Sequence, residues 1–137
     1  LINNFDNIHI FNLALSNKKK KIEMWVSDIK RTGGFSVFNE SDEELRKYNS
    51  TYSELTQSDL ADSILNIKNT NLAIKIDVER HEEQVLLGAS KLLTENKVII
   101  QIEIFDKRKK KIFDILKNYK YRLYNSIGKD YYFRNFI

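Results

Sequence analysis

The segment Ile74-Lys75-Ile76-Asp77-Val78-Glu79 carries the densest potential chemistry in this chain of 137 residues. Alternation along a strand puts Ile74, Ile76 and Val78 on one face and Lys75 and Asp77 on the other. A lysine and an aspartate two apart in an otherwise apolar strand are costly to bury unless each finds a partner. Asp77 and Glu79 fall at the carboxyl end of that strand, where ligands sit in open parallel sheets. Glu103 interrupts a second apolar run, Val98 to Ile104, near its end. If the two strands are parallel neighbours, Glu103 approaches Asp77 and Glu79 at one edge. Such a cluster can bind a divalent metal, act as a general base or take up substrate hydroxyls, and spacing alone does not choose. A structural ion pair of Lys75 with Asp77 or Glu103 is the competing reading. We assign no metal.

Other reactive residues are few. His81 follows Arg80 in the loop after the strand, where a histidine can be a general base or have no role. His9 lies in an apolar stretch and is expected to be packed or at an edge. Neither makes a recognisable triad with a serine, and no zinc-ligand spacing occurs. Cysteine is absent, which excludes disulfides, thiolate metal sites and a cysteine nucleophile. The only glycines are Gly33, Gly34, Gly88 and Gly128, so a G-x-G-x-x-G phosphate loop is excluded from these residues.

The net charge of +4 could suit a polyanion. The basic runs Lys18 to Lys21 and Lys107 to Lys111 lie at strand and helix ends, with acidic residues between them. We therefore read them as solvated, with no nucleic acid or membrane partner. No stretch approaches the roughly 18 apolar residues of a membrane span. The first ten residues have no basic leader region, so no signal peptide is expected and a cytoplasmic location is the default. Leu1 in place of Met suggests that the chain does not begin at a native start.

The elements that must position these residues follow from periodicity. Ile8 to Leu15 reads as a strand covered on both sides. Ile22, Met24 and Val26 alternate as in a half-exposed strand, and Phe35 to Phe38 is a short strand that can pair with it as a hairpin. Residues 39–57 read as a loop, with a helical turn around Glu43 to Tyr48. Ser58 or Asp59 can cap a short helix carrying Leu60, Ile64 and Leu65. Leu72 to Val78 is a strand, Glu82 to Leu93 a helix and Val98 to Phe105 a strand. Asp106 can cap a helix reaching Tyr119, and two strands turn near Gly128. In the first long helix Val85, Leu86, Ala89, Leu92 and Leu93 form an apolar stripe, and Glu82 and Glu83 face the helix dipole. Strand, helix, strand in this order predicts parallel pairing and an α/β layer fold.

The stretch Ile74 to Ala89 resembles the hallmark of FkbM-type methyltransferases: Lys-Ile-Asp-Val-Glu-Gly-x-Glu, an apolar pair, then Gly and Ala. Lys75, Asp77, Glu79, Glu82, Val85, Leu86, Gly88 and Ala89 fit it. Arg80 stands where the family usually has Gly. Ile8 to Asn17, with its Ala-Leu-Ser ending, is similar to the family's third core strand. Val98 to Ile104 is similar to the next core strand after the hallmark, and Lys120 to Arg134 to the terminal antiparallel pair. The resemblance implies a partial Rossmann-like class I methyltransferase sheet over residues 1–137, with parallel central strands and a C-terminal antiparallel pair. The family's first strand with its cofactor Gly loop, and a second strand ending in a ribose-binding acid, would precede Leu1.

The implied function is S-adenosylmethionine-dependent methylation of an oxygen on a small molecule or glycan. Carried over, Asp77 lines the methyl-transfer cleft as the proton acceptor. Lys75 and Glu79 orient it or contact substrate. Ala14 and Leu15 lie near the adenine edge of the cofactor, and Glu103 and His81 face the acceptor. The isolated chain is expected to bind S-adenosylmethionine weakly or not at all. Its uncovered strands are expected to pair Ile8 to Leu15 with Leu72 to Val78, or two chains as a homodimer. A binding module that has lost the cofactor site is the alternative.

Overall fold

The computed structural model describes residues 6–26, 35–37 and 52–137, whose strands fall into two four-stranded sheets. In the first, β1 (Ala14–Leu15), β2 (Lys20–Val26), β3 (Phe35–Val37) and β4 (Tyr52–Asp59) lie in the order β1-β4-β2-β3. The expected hairpin is present, since β2 and β3 pair antiparallel with Met24 opposite Val37. Strand β4 corrects the reading of residues 39–57 as a loop. Its sequence Tyr-Ser-Glu-Leu-Thr-Gln-Ser-Asp lacks an apolar face, yet all seven residues of β2 find Cα partners along it. Backbone pairing, not side-chain patterning, makes this strand. The turn expected at Glu43 to Tyr48 lies outside the described residues.

The strand expected over Ile8 to Leu15 shrinks to Ala14–Leu15, which pairs parallel with Ser58–Asp59. No described strand takes the backbone groups of residues 8–13, and Ile8, Ile10 and Phe11 are exposed. His9 is exposed and outside any strand, neither packed nor at a sheet edge. Nor is this segment drawn against the strand at Leu72, because β1 pairs with β4 alone. Ser58 is buried and pins the β1–β2 turn, its hydroxyl lying 2.8 Å from the Lys18 carbonyl and 2.9 Å from that of Lys20.

The second sheet contains β5 (Asn71–Ile76), β6 (Lys97–Glu103), β7 (Arg122–Ile127) and β8 (Asp130–Arg134) in the order β5-β6-β8-β7. β5 and β6 are parallel, with Ile74 opposite Ile100, as the strand-helix-strand pattern requires. β8 runs antiparallel to both β6 and β7, giving the expected C-terminal pair. The protein is thus α/β with two mixed sheets. Along β6, Val98, Ile100 and Ile102 are buried while Lys97 and Ile99 are exposed. On β5, Asn71, Ala73 and Lys75 are likewise exposed, so this strand too buries one face, as its alternation predicts.

Between the parallel strands the single helix expected over Glu82 to Leu93 is broken. A short α1 (Ala61–Ile64) precedes β5, and the crossover divides into α2 (Glu82–Gly88) and α3 (Ser90–Thr94) at Ala89. The break supplies free N–H groups that Asp62 of α1 satisfies. Its carboxylate accepts from the backbone N–H of Lys91 and of Leu92, each at 2.9 Å, and from the Ser90 hydroxyl. Asp62→Ala should therefore cost about 1–2 kcal/mol in urea unfolding, the worth of a helix cap; an unchanged midpoint would remove this role. After β6 a 3-10 turn (Asp106–Arg108) leads into α4 (Lys109–Asn118), whose cap position is Arg108 and not Asp106. Leu86, Leu93, Ile100, Ile102, Ile112 and Leu116 form the centre of the core between these helices and the second sheet.

Candidate functional site

The site residues converge where β5 and β6 end. β5 stops at Ile76, and Asp77 and Glu79 follow it into a turn closed by the His81 N–H donating to the Val78 carbonyl at 3.1 Å. Glu103 is the last residue of β6. Carboxylate oxygens of Asp77, Glu79 and Glu103 lie within 4.8 Å of one another. Parallel register brings them together: Ile76 is opposite Ile102, so the next residues of both strands emerge side by side. Lys75 donates to Asp77 Oδ2 at 2.9 Å, and both side chains remain substantially exposed. Of the two partners open to Lys75 in the sequence, the structure selects Asp77. Three oxygens at this spacing can hold a cation, but an ammonium already occupies one member.

Electrostatics separates the three acids. Glu79 is half-buried, and burial together with the neighbouring Glu103 and Asp77 charges raises its pKa above the usual carboxylate value. Arg80 and Lys129 pull in the opposite direction. Two carboxylates near a third resist further loss of protons, so Glu79 is the member suited to proton exchange. Asp77, fixed by Lys75, is suited to binding.

Glu79 and Arg80 both adopt left-handed backbone, at φ 46° and 76°. Such angles cost non-glycine residues about 1–2 kcal/mol each. The turn is held by Glu82, which the sequence placed in the family hallmark and at the helix dipole without giving it this role. Its side chain is buried and folds back so that Oε1 accepts from the Arg80 N–H at 2.7 Å. Its other oxygen is buried without a protein partner, and burial raises its pKa. From the other side Arg108 donates to the Arg80 carbonyl.

His81 corrects the expectation of a loop histidine facing the acceptor. It is buried, and its Nε2 lies 3.0 Å from the Ser16 hydroxyl just after β1. Burial first, then the positive charges of Arg108 and Lys20, lowers its pKa to about 4. The folded state thus holds His81 neutral while the unfolded chain protonates it near pH 6.5. Between these values the unfolded state binds more protons, so stability falls as pH drops from 6.5 to 4, by about 3 kcal/mol in all. His81→Gln should flatten this part of the stability-pH curve; an unchanged slope would show that His81 is not its source.

Gly88, at the end of α2, touches the same place. A Cβ there would lie 1.9 Å from the Ser16 carbonyl oxygen, so only glycine lets α2 close on the β1 turn. Ala14 is half-buried, and Leu15 lines an apolar cleft of about 240 Å³ with Phe11, Leu13, Ile64 and Leu65. The cleft and the carboxylates are thus built on different sheets. Ser16, Arg108 and the docking role of Gly88 escaped the sequence reading, because each depends on contacts between residues far apart in the chain.

The acids gather at the carboxyl ends of two parallel strands, beside a strand-helix crossover, which is the edge where open α/β sheets in general take up ligands. The chain belongs to the methyltransferase FkbM domain family, which it matches over residues 1–123. No curated protein and no solved structure matches it significantly. Among the described residues no helix is long and apolar enough to cross a membrane.

Proposed function

We propose that the protein transfers a methyl group from S-adenosylmethionine to a hydroxyl oxygen of a small molecule or glycan. Membership of the FkbM family supports methyl transfer, and the Asp77–Glu79–Glu103 cluster is the observation that supports a hydroxyl acceptor. S-adenosylmethionine would supply an electrophilic methyl group on a sulfonium, whose carbon–sulfur bond breaks with the electron pair returning to sulfur. The described residues fit one end of that cofactor: the cleft beside Leu15 is apolar and of a size for a planar ring. They do not fit the rest, because Gly88 is consumed against Ser16 and Gly128 sits in the open β7–β8 turn.

The chain's own part is to bind, orient and deprotonate the acceptor. Asp77, aimed by its ion pair with Lys75, and Glu103 accept hydrogen bonds from acceptor hydroxyls. Glu79 takes the proton from the oxygen that is methylated. As the new oxygen–carbon bond forms, that proton must leave, and a carboxylate with a raised pKa accepts it more readily. The test is transfer of labelled methyl from S-adenosylmethionine to a panel of sugars and polyhydroxy compounds. An O-methylated product is expected; incorporation into nitrogen or carbon only, or none with any acceptor, would overturn the reading.

A further inference from the structure

Beside the carboxylates stand two cations that share an aromatic ring. Arg80 and Lys129 both lie over Phe105, the guanidinium carbon at 5.3 Å and the ammonium nitrogen at 4.4 Å from its centroid. Among the described residues neither is within ion-pair distance of a carboxylate. Lys75, by contrast, meets Asp77 directly. Cations present only to balance the acids would close onto them in the same way. A guanidinium held over a ring instead keeps N–H groups available and loses little freedom when it binds a planar or tetrahedral anion.

Both residues are held through their backbones. Arg80 is clamped through its N–H by Glu82 and through its carbonyl by Arg108, in a left-handed conformation that glycine would adopt without strain. Lys129 is fixed to the end of β6, where its carbonyl accepts from the Ile104 N–H at 3.0 Å. Phe105 follows two residues after Glu103, so the aromatic platform and the acids share one strand end. Both cations also lie close enough to Glu79 to act on its charge.

We propose that Arg80 and Lys129, seated on Phe105, bind a phosphate or carboxylate group of the methyl acceptor, so that the acceptor is an anionic hydroxy compound such as a sugar phosphate or sugar acid. This inference rests on the proposed function, since it names the substrate class for the same edge. The anion anchors one end of the acceptor at the cations, and a hydroxyl several ångströms away reaches the carboxylates. A neutral sugar would leave the two cations without a ligand and gain only the hydroxyl contacts. A polyanion would not be chosen, because the three acids beside the cations repel it.

Binding is tested without any methyl donor. Glucose 6-phosphate, glucuronate and glucose are titrated separately into the protein while backbone amide shifts are followed by nuclear magnetic resonance. The two anions should shift amides at residues 79–81, 103–105 and 128–130, and glucose should not. Arg80→Gly, which suits the left-handed backbone and so preserves the fold, should weaken anion binding at least tenfold, and Lys129→Gln severalfold. Equal shifts with glucose, shifts confined to Lys18 to Lys21, or wild-type affinity in Arg80→Gly would overturn the inference. Anion binding at these residues without methyl transfer to any acceptor would sustain this inference and sink the proposed function. Transfer to neutral sugars that Arg80→Gly leaves unchanged would do the reverse.

Discussion

Glu79→Gln is expected to lower the rate of methyl transfer by about 100- to 10,000-fold, the usual worth of a positioned general base. Glutamine keeps the shape and one acceptor oxygen of the side chain, so acceptor affinity should change far less than turnover. The pH profile gives a second reading. Burial and the charges of Glu103 and Asp77 raise the pKa of Glu79, so the acidic limb of the wild-type rate should lie above the ordinary carboxylate value. In Glu79→Gln that limb should vanish. Asp77→Asn should act mainly on acceptor binding, since Lys75 holds Asp77 in an ion pair of 2.9 Å. If Asp77→Asn abolishes turnover while Glu79→Gln leaves it within threefold of wild type, the proton goes to Asp77, and the two acids exchange the roles of base and binder.

Gly88→Ala is expected to destabilise the fold by about 3 kcal/mol or more, at the upper end of overpacking costs. The added carbon would meet the Ser16 carbonyl oxygen at 1.9 Å and the Ser16 carbonyl carbon at 2.8 Å. Both are main-chain atoms that no rotamer change can remove. Helix α2 must retreat, and the 3.0 Å contact of His81 with the Ser16 hydroxyl opens with it. Ser16→Ala in the same chain should bring no relief, because the clash is with backbone. Gly128→Ala is the control: it carries φ 60° with nothing within 4 Å, so only the left-handed backbone is penalised, by about 1–2 kcal/mol. Urea unfolding of the three variants checks all of this. A midpoint for Gly88→Ala no lower than that of Gly128→Ala would mean that α2 does not close on the β1 turn.

The second sheet was legible in the sequence because its signals are local. Leu72 to Val78 and Val98 to Phe105 carry enough apolar residues to be strands in any context, and the crossover between them forces parallel pairing. That pairing alone brings Asp77, Glu79 and Glu103 together, so the carboxylate cluster could be read from two short segments. The first sheet was not legible in the same way. Tyr52–Asp59 has no alternation to reveal it, and its partner β2 is about 30 residues away in sequence. Ile8 to Leu15 has a strand's composition, but a strand needs a neighbour, and only its last two residues have one. His81 misled for a related reason. Its exposure depends on whether β1 covers it, and nothing in the residues around position 81 encodes that cover.

The burial of the two sheets is unequal. The hydrophobic cluster draws on residues from Ala61 to Phe133, while on the described part of the first sheet Ile22 is the one buried apolar side chain. Among the described residues the first sheet is held by backbone ladders and by the seat of its Ser16 turn against α2, so it is expected to open before the rest melts. Amides of β2 and β4 should exchange with deuterium by this partial opening, while those of Ile100 and Ile102 wait for complete unfolding. Each such excursion uncovers His81 and dismantles the wall of the Leu15 cleft while Asp77, Glu79 and Glu103 stay in place. The Leu15 cleft and the carboxylate edge are thus expected to differ in lifetime: the first is taken apart and rebuilt with each opening, and the second endures for as long as the molecule stays folded.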